Sequence, residues 1–430
     1  MDIILNAVQF LLDMGGSIIL PFFVTILGII FGLKFVDSFK NGLMIGVGFA
    51  GINLMVNLLV TTVQPSTDYY TKLGTGFTTV NLGWDSIASM VWSTSFALWL
   101  IPLGFILNFI LVRFKVVKTL NVDIWNFYNA ILTSAVTYYV ALSLGASILV
   151  ANILGIVIGL FLTVVACKIG DKLATSWQGY FNMPKGITCS TLDTQLTHYP
   201  ISWLGAKLYD LIPGLNKLYF DINNVNEKYT AWTAPSIVGF FVGGLLGLIT
   251  KQSFGTILTM AIGVASVIVL MPKMVSLLMD GLVPLSNAAR SFMKKKLGED
   301  ADILIGMDVS IGLGDKCGMI VTMFLMPITI LLAFILPNIT FFPIGLFGGM
   351  IWSGHAAAFV SKGNLPKAIF AGTFLLAWTI LCLNFMAPIA TRLAHDVGVI
   401  DSMTPLITGG GFQQTQVVLV GLIGKLFGGF

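Results

Sequence analysis

Charge is what this chain has least of. Of its 430 residues only 10% are Asp, Glu, Lys or Arg, against 56% hydrophobic, whereas a soluble domain carries about 25% charged residues. With a mean hydropathy of +0.92, so much apolar surface needs lipid as well as a core to cover it. The net charge of +4 is small and the basic residues are scattered, with one short run at Lys294-Lys295-Lys296; no nucleic-acid partner is expected. Cysteine is scarce too. Cys167, Cys189, Cys317 and Cys382 form no CxxC pair, so neither a disulfide framework nor a zinc site is expected, and the four read as small buried hydrophobes. The chain has no GxxxxGK[ST] loop, no HExxH and no GxSxG. ATP coupling within the chain and a membrane-embedded hydrolase are therefore not expected, and no cofactor is called for. The start, Met1-Asp2-Ile3, lacks the basic region of a cleaved signal peptide, so the first apolar run is expected to be retained.

Long apolar runs are what the chain has instead. A bilayer-crossing helix needs about 20 mostly apolar residues. Eleven candidates follow: 16–36, 42–63, 89–112, 126–144, 146–166, 235–250, 254–271, 317–336, 341–360, 367–387 and 414–430. The connections between them are asymmetric in charge. One side holds Lys34, Lys40, Arg113, Lys115, Lys118, Lys168, Lys172, Lys185, Lys207, Lys217, Lys228, Lys273, Arg290, Lys294, Lys295, Lys296, Lys316, Lys362 and Lys367; the other holds Lys72, Lys251 and Arg392. The positive-inside rule makes the first side cytoplasmic, which places the N-terminus outside and the C-terminus inside, as an odd number of spans requires. The expected fold is an all-α integral membrane protein of about eleven transmembrane helices. Connections 167–234 and 272–316 are too long for turns and are expected to form amphipathic surface helices and re-entrant elements. Halves 1–166 and 235–387 would each hold five spans, an odd number, and so relate as an inverted repeat. Gly409-Gly410-Gly411 reads as a flexible entry to the last span.

Polar residues held within such a chain point to a polar solute. Glycines from Gly42 to Gly51 precede Asn53 and Asn57; they suit close helix packing or a groove ending at those amides. Asp123 and Asn126 lie three residues apart, on one helical face, although a carboxylate at a helix start is favourable in itself. Cys189–His198 carries Thr191, Asp193, Thr194, Gln195 and His198, side chains that together offer the donors and acceptors a polyhydroxylated solute needs; a solvated cytoplasmic loop is the alternative. Asp308 and Asp315 sit in an apolar, glycine-rich run. Buried carboxylates need partners, which solute hydroxyls or Lys316 would supply. His355 falls within the ninth span as a core residue or a functional one. Trp84, near Asn81 and Asp85, suits a sugar face or a membrane-interface anchor.

These stretches carry a resemblance. Leu43–Ile52 (LMIGVGFAGI), Asn121–Asn126 (NVDIWN), Pro213–Lys228 (PGLNKLYFDINNVNEK), Met279–Leu285 (MDGLVPL), Leu304–Asp308 (LIGMD) and Lys362–Leu365 (KGNL) resemble, in order over nearly the whole chain, the membrane-spanning IIC subunit of galactitol-type bacterial phosphotransferase systems, within the ascorbate–galactitol superfamily. The resemblance implies a single homodimeric permease domain in the bacterial plasma membrane, with a core that holds a sugar alcohol or related carbohydrate and a scaffold that makes the dimer contact. It implies elevator-like movement of the core and phosphorylation of the solute by a separate cytoplasmic IIB protein, itself charged by IIA. In the related ascorbate carrier the ligand lies among segments matching Gly51–Asn53, Asn81–Trp84, Asp123–Asn126, Thr191–Gln195 and Asp308–Asp315. The chain departs from the galactitol-type pattern at Thr191 and Asp315, where that pattern has histidine nearby, so the identity of the solute stays open. An ion-coupled symporter with Asp123 or Asp308 as the ion site is the alternative.

Overall fold

The computed structural model describes residues 16–73, 77–92, 94–221, 235–297, 303–403 and 405–429. Expectations about the N-terminus, and the end of the Pro213–Lys228 motif, lie outside the described residues.

The apolar runs form helices, and their lengths differ widely. In chain order they are α1 (Gly16–Ile30), α2 (Phe35–Leu73), α3 (Trp84–Trp92), α4 (Ser95–Arg113), α5 (Ile124–Ser143), α6 (Ile148–Phe181), α7 (Tyr199–Leu211), α8 (Pro235–Ile249), α9 (Phe254–Leu297), α10 (Lys316–Ile335), α11 (Met350–Val360), α12 (Leu365–Asp396) and α13 (Thr415–Leu426). Among the described residues, α4, α6, α10, α12 and the segment Phe254–Met271 of α9 are long and apolar enough to cross a membrane. On α6 the side chains of Ile148, Leu149, Ile153, Leu154, Val157 and Phe161 face outward, an apolar surface suited to lipid. By contrast α11 has 11 residues and α13 has 12, lengths of about 16 to 18 Å, well short of a hydrocarbon core of about 30 Å. The helices α2 and α9, with 39 and 44 residues, reach about 60 Å. α9 runs unbroken past residue 271 and stays helical through Pro272 and Pro284, so Met279–Leu285 continues the helix.

Two sets of helices emerge from the packing. In one, α9 lies along α2 and α8, and α1 lies along α2. In the other, α5 packs on α6 and α13, and α10 packs on α11 and α12, which also receive α7. One apolar core, with Cys317, Val321 and Ala357, reaches from the second set into the first at Ile45 and Val264. Another fills the space around α3, α4, α5, α12 and α13, centred on Ile131, Leu132, Leu383 and Phe412.

The chain is mostly helical but not wholly so. Among the described residues five short strands, β1 (Val80–Leu82), β2 (Thr119–Asn121), β3 (Ile187–Cys189), β4 (Leu304–Met307) and β5 (Ile407–Gly409), form two parallel sheets ordered β2-β4-β3 and β1-β5. Thr119 pairs with Leu304, Ile187 with Ile305 and Asn81 with Thr408. Open strand edges away from water need partners for every N–H and C=O, and here side chains supply them. Asn108 Nδ2 donates to Thr119 O (2.9 Å) while its Oδ1 accepts from Asn121 N–H (2.9 Å), so one amide imitates a strand. Asp171 accepts from the N–H of Thr119 (2.8 Å) and from its hydroxyl (2.7 Å). On the far edge Gln178 Nε2 donates to Ile187 O (2.7 Å) and Gln195 Nε2 to Cys189 O (2.9 Å). At the sheet centre a Cβ on Gly306 would stand 2.6 Å from Thr119 Cγ2 and 2.8 Å from Ser190 Oγ, too close for any other residue.

Candidate functional site

Parallel pairing sets the C-terminal ends of β2, β4 and β3 side by side, the edge at which open parallel sheets gather ligand-binding residues. Immediately beyond them stand Asp123, Asp308 and Thr191. Asp123 occupies the N-cap of α5 but makes no capping bond with its side chain; instead its Oδ2 accepts the Thr191 hydroxyl at 3.0 Å. Asp308 Oδ1 accepts from Ser310 N–H (2.7 Å), opening the 3-10 turn Val309–Gly312, and its Oδ2 lies 3.5 Å from the same Thr191 Oγ1. Thr191 Oγ1 also accepts Val309 N–H at 2.9 Å. A hydroxyl has one proton, which goes to the nearer carboxylate, so Thr191 ties the end of β3 to both other strand ends.

The surrounding groups complete a closed polar layer. Ser190 Oγ donates to Asn121 Oδ1 (2.9 Å), which also accepts Asp123 N–H (3.1 Å), and Leu192 N–H donates to Asn126 Oδ1 (3.1 Å). Gln195 Nε2 donates to Ala166 O (3.0 Å) as well as to Cys189 O. All of these side chains are buried. Polar atoms here without a partner among the described residues include Asn121 Nδ2, Ser310 Oγ and Gln195 Oε1. They are respectively a donor, a group of either polarity and an acceptor, the mixture that vicinal hydroxyls require. Among the described residues no three His, Cys, Asp or Glu side chains gather as a metal site.

A second group adjoins the first through the turn after β3. Thr194–His198 is π-helical, a local geometry frequent at functional sites, and it buries Thr194, Gln195, Thr197 and His198. Asp193 Oδ2 accepts from Gln413 Nε2 at 3.1 Å. Tyr128 OH donates to Gly410 O at 3.3 Å. Trp84 packs edge-on against Tyr128, with centroids 5.4 Å apart, and tilted against Trp352 at 6.1 Å. Asn81 in β1 is half-buried, with both amide atoms lacking a partner among the described residues. The expected flexible entry at Gly409-Gly410-Gly411 is therefore corrected: these glycines are buried, held by pairing of β5 with β1 and by the Thr408 hydroxyl on Leu383 O at 2.7 Å.

Gly51 and Asn53 stand apart on α2, whereas Asp315 and His355 adjoin the Val309–Gly312 turn, where a Cβ on Gly312 would meet the His355 ring at 2.4 Å and Asp315 N–H donates to Gly312 O at 3.3 Å. Gly51 on α2 is buried where a Cβ would meet Met274 Sδ of α9 at 2.4 Å, a packing position. Asn53 lies on the same helix, with its side chain outside the described residues. Asp315 caps α10, accepting from Gly318 N–H (2.7 Å) and Tyr180 OH (3.3 Å). His355 is stacked on Phe181 at 4.5 Å, and its Nε2 lies 3.1 Å from Tyr199 OH, which accepts from Trp177 Nε1 at 3.0 Å. Sequence reasoning passed over individual residues within its own polar stretches, namely Asn121, Ser190 and Ser310. It also missed Tyr128 and Gln413. The signal for Gln413 is present in hindsight: two glutamines follow a glycine run at the mouth of an apolar span.

Comparison with known proteins covers nearly the whole chain. The family model EIIC-GAT, described as the PTS system sugar-specific permease component, matches residues 10–402. The PTS system galactitol-specific EIIC component of Escherichia coli (strain K12) is 28% identical over 417 residues, 96% of this chain and 90% of that protein. A putative permease IIC component from the same strain is 25% identical over 429 residues, 97% of this chain and 94% of that one.

Proposed function

Because the chain belongs to the sugar-specific permease family of the phosphotransferase system, EIIC-GAT, we propose that it carries a galactitol-like sugar alcohol inward and presents it for phosphorylation by a separate cytoplasmic IIB protein. As a member it is a multi-pass plasma membrane protein. The observation that carries the choice of solute is the meeting of Asp123, Thr191 and Asp308 at three parallel strand ends, beside buried polar atoms of both polarities. A relative named for galactitol supports the class of solute. The departures at Thr191 and Asp315 leave other hexitols and pentitols as candidates for the same site.

On this reading the strand-bearing set of helices is the moving core. The set α1, α2, α8 and α9 is the scaffold and dimer contact, and the core shifts against it in an elevator-like step. What supports the division is that described hydrogen bonds of the long helices close within their own set: Ser66 Oγ to Thr250 Oγ1 (2.8 Å) and Gln252 Nε2 to Pro65 O (2.9 Å). Such a boundary slides at little cost in broken polar contacts. Eleven spans, an inverted repeat, an outside N-terminus and a cytoplasmic C-terminus belong to the same proposal and rest on the apolar runs and loop charge.

Uptake of labelled galactitol decides the matter. In cells with the IIA and IIB phosphocarriers, galactitol phosphate is expected inside; without them, uptake is expected to stop. The paired carboxylates around Thr191 would also serve an ion-coupled symporter. Accumulation of unmodified galactitol that survives loss of the phosphocarriers and collapses with the proton or sodium gradient would establish that reading instead.

A further inference from the structure

Beyond the matched residues 10–402, the segment 407–414 returns to the site carrying a side chain with no assigned role. Gln413 is buried, and its amide orientation is determined by its neighbours. Its oxygen must face Gly411 N–H, a donor 2.6 Å from Oε1, which leaves Nε2 to donate to Asp193 Oδ2 at 3.1 Å. The turn that permits this needs glycine: Gly411 has φ +117, and a Cβ there would stand 2.2 Å from Tyr128 OH. The Thr197 hydroxyl and the His198 ring also lie beside the Asp193 carboxylate, while its second oxygen, Oδ1, is buried and meets no hydrogen-bond partner among the described residues.

We propose that Gln413 is a positioning residue for solute recognition, orienting Asp193 so that Oδ1 accepts a hydroxyl of the transported polyol. The proposal rests on the polyol-permease reading. It extends the solute site from the three strand ends to the β5 segment and gives the buried glycine run a purpose. The direction of the hydrogen bond is the essence of the device. A backbone N–H fixes the amide, the amide fixes the carboxylate, and the carboxylate presents an acceptor. A site built to bond a hydroxyl discriminates strongly against solutes that lack it, because its buried group is then left unpaired.

A polarity swap tests this without relying on loss alone. Galactitol binding is measured by calorimetry on the full-length protein in lipid nanodiscs. Gln413→Leu and Asp193→Asn are each expected to weaken binding about tenfold or more. In Asp193→Asn the oxygen of the new amide faces Gln413 and its nitrogen faces the solute, the wrong polarity. Gln413→Glu alone sets two carboxylates against each other and is also expected to weaken binding. The double variant Asp193→Asn/Gln413→Glu restores the sequence of donors: Gly411 N–H to Glu, Asn nitrogen to Glu, and Asn oxygen free for the hydroxyl. It is expected to recover most of the lost affinity. A double variant no better than the worse single one overturns the proposal, and so do affinity changes that merely follow the melting temperatures, falling in the single variants and recovering in the double, as a purely structural bond would give. So does unchanged affinity in Gln413→Leu. Wild-type protein that binds neither galactitol nor another hexitol or pentitol overturns the polyol reading itself, and this proposal with it.

Discussion

The helix set α1, α2, α8 and α9 and the strand-end core solve the same problem, burying backbone away from water, in opposite ways. In α1, α2, α8 and α9 small residues let one backbone approach another. A Cβ on Gly42 would stand 2.3 Å from Pro21 O, one on Gly281 2.4 Å from Asn41 O, and one on Gly243 2.6 Å from Met260 O. Hydroxyls there bond within their own helix or their own set, as Thr61 does to Asn57 O at 2.9 Å and Ser66 to Thr250 Oγ1 at 2.8 Å. In the core, strands leave edges that helices do not have, and Asn108, Asp171, Gln178 and Gln195 must cross between segments to satisfy them. Polar side chains are thus imported to the strand ends by the demands of the fold. Some of their atoms are then left over to meet a solute. The contrast separates a part whose residues are chosen for shape from a part whose residues are chosen for polarity, and substitutions should respond accordingly.

The largest effect is expected from shape. Gly281→Ala places a methyl against the Asn41 carbonyl and Ile45 of α2. Overpacking of this kind typically costs about 1–3 kcal/mol, and contact with rigid backbone puts it at the upper end. The same change at Gly255, on the same helix but with nothing within 4 Å of its Cβ, is expected to be neutral or to stabilise by up to about 1 kcal/mol through helix propensity. Thermal unfolding of the two variants in detergent reads the difference. Equal melting temperatures would mean that α2 and α9 do not rely on this close approach.

Shape was more legible in the sequence than polarity. Apolar runs of about 20 residues announce helices, and among the described residues five helices or helix segments are long and apolar enough to cross a membrane, although run 89–112 is divided between α3 and α4, α11 and α13 are short, and α2 and α9 extend well past the lengths the runs suggest. The polar stretches around Asp123, Thr191 and Asp308 were visible because such residues are rare in an apolar chain. Their meeting was not, because it depends on strands of three or four residues, too short for an alternating pattern to stand out. Asp123 shows the limit. At a helix start it suits the helix dipole, and only the Thr191 hydroxyl on its Oδ2 shows that it faces the site. That Asp315 caps α10 and that His355 stacks on Phe181 was likewise not visible in the sequence.

Polarity alone is tested next. Asp308→Asn preserves the shape of the side chain and the bond from Ser310 N–H, but turns the group facing Thr191 and the solute from acceptor to donor. A charge-assisted hydrogen bond contributes about 1.5–3 kcal/mol, so galactitol binding is expected to weaken about 10- to 100-fold. Folded yield and melting temperature should stay close to those of the wild type. Unchanged affinity, measured on the purified protein, would move the solute away from the strand ends.

The smallest and most discriminating effect is expected at Gln195, where the two roles meet in one side chain. Its nitrogen serves the fold, donating to Ala166 O and Cys189 O, while its oxygen is buried and has no partner among the described residues. Two carbonyl acceptors leave no ambiguity about which end of the amide is which. Gln195→Ala removes both functions and leaves Cys189 O without that donor at the edge of β3, a cost to stability of about 1–2 kcal/mol. Galactitol affinity should fall as well, but by less than in Asp308→Asn, since a neutral acceptor contributes less than a charged one. Gln195→Glu separates the terms: an ionised carboxylate keeps an oxygen for the solute but cannot donate to the two carbonyls. If Gln195→Glu lowers the melting temperature while binding galactitol better than Gln195→Ala, the oxygen faces the solute. If the two variants bind alike, Gln195 belongs wholly to the fold, and the line between the two kinds of residue runs between Gln195 and Thr191.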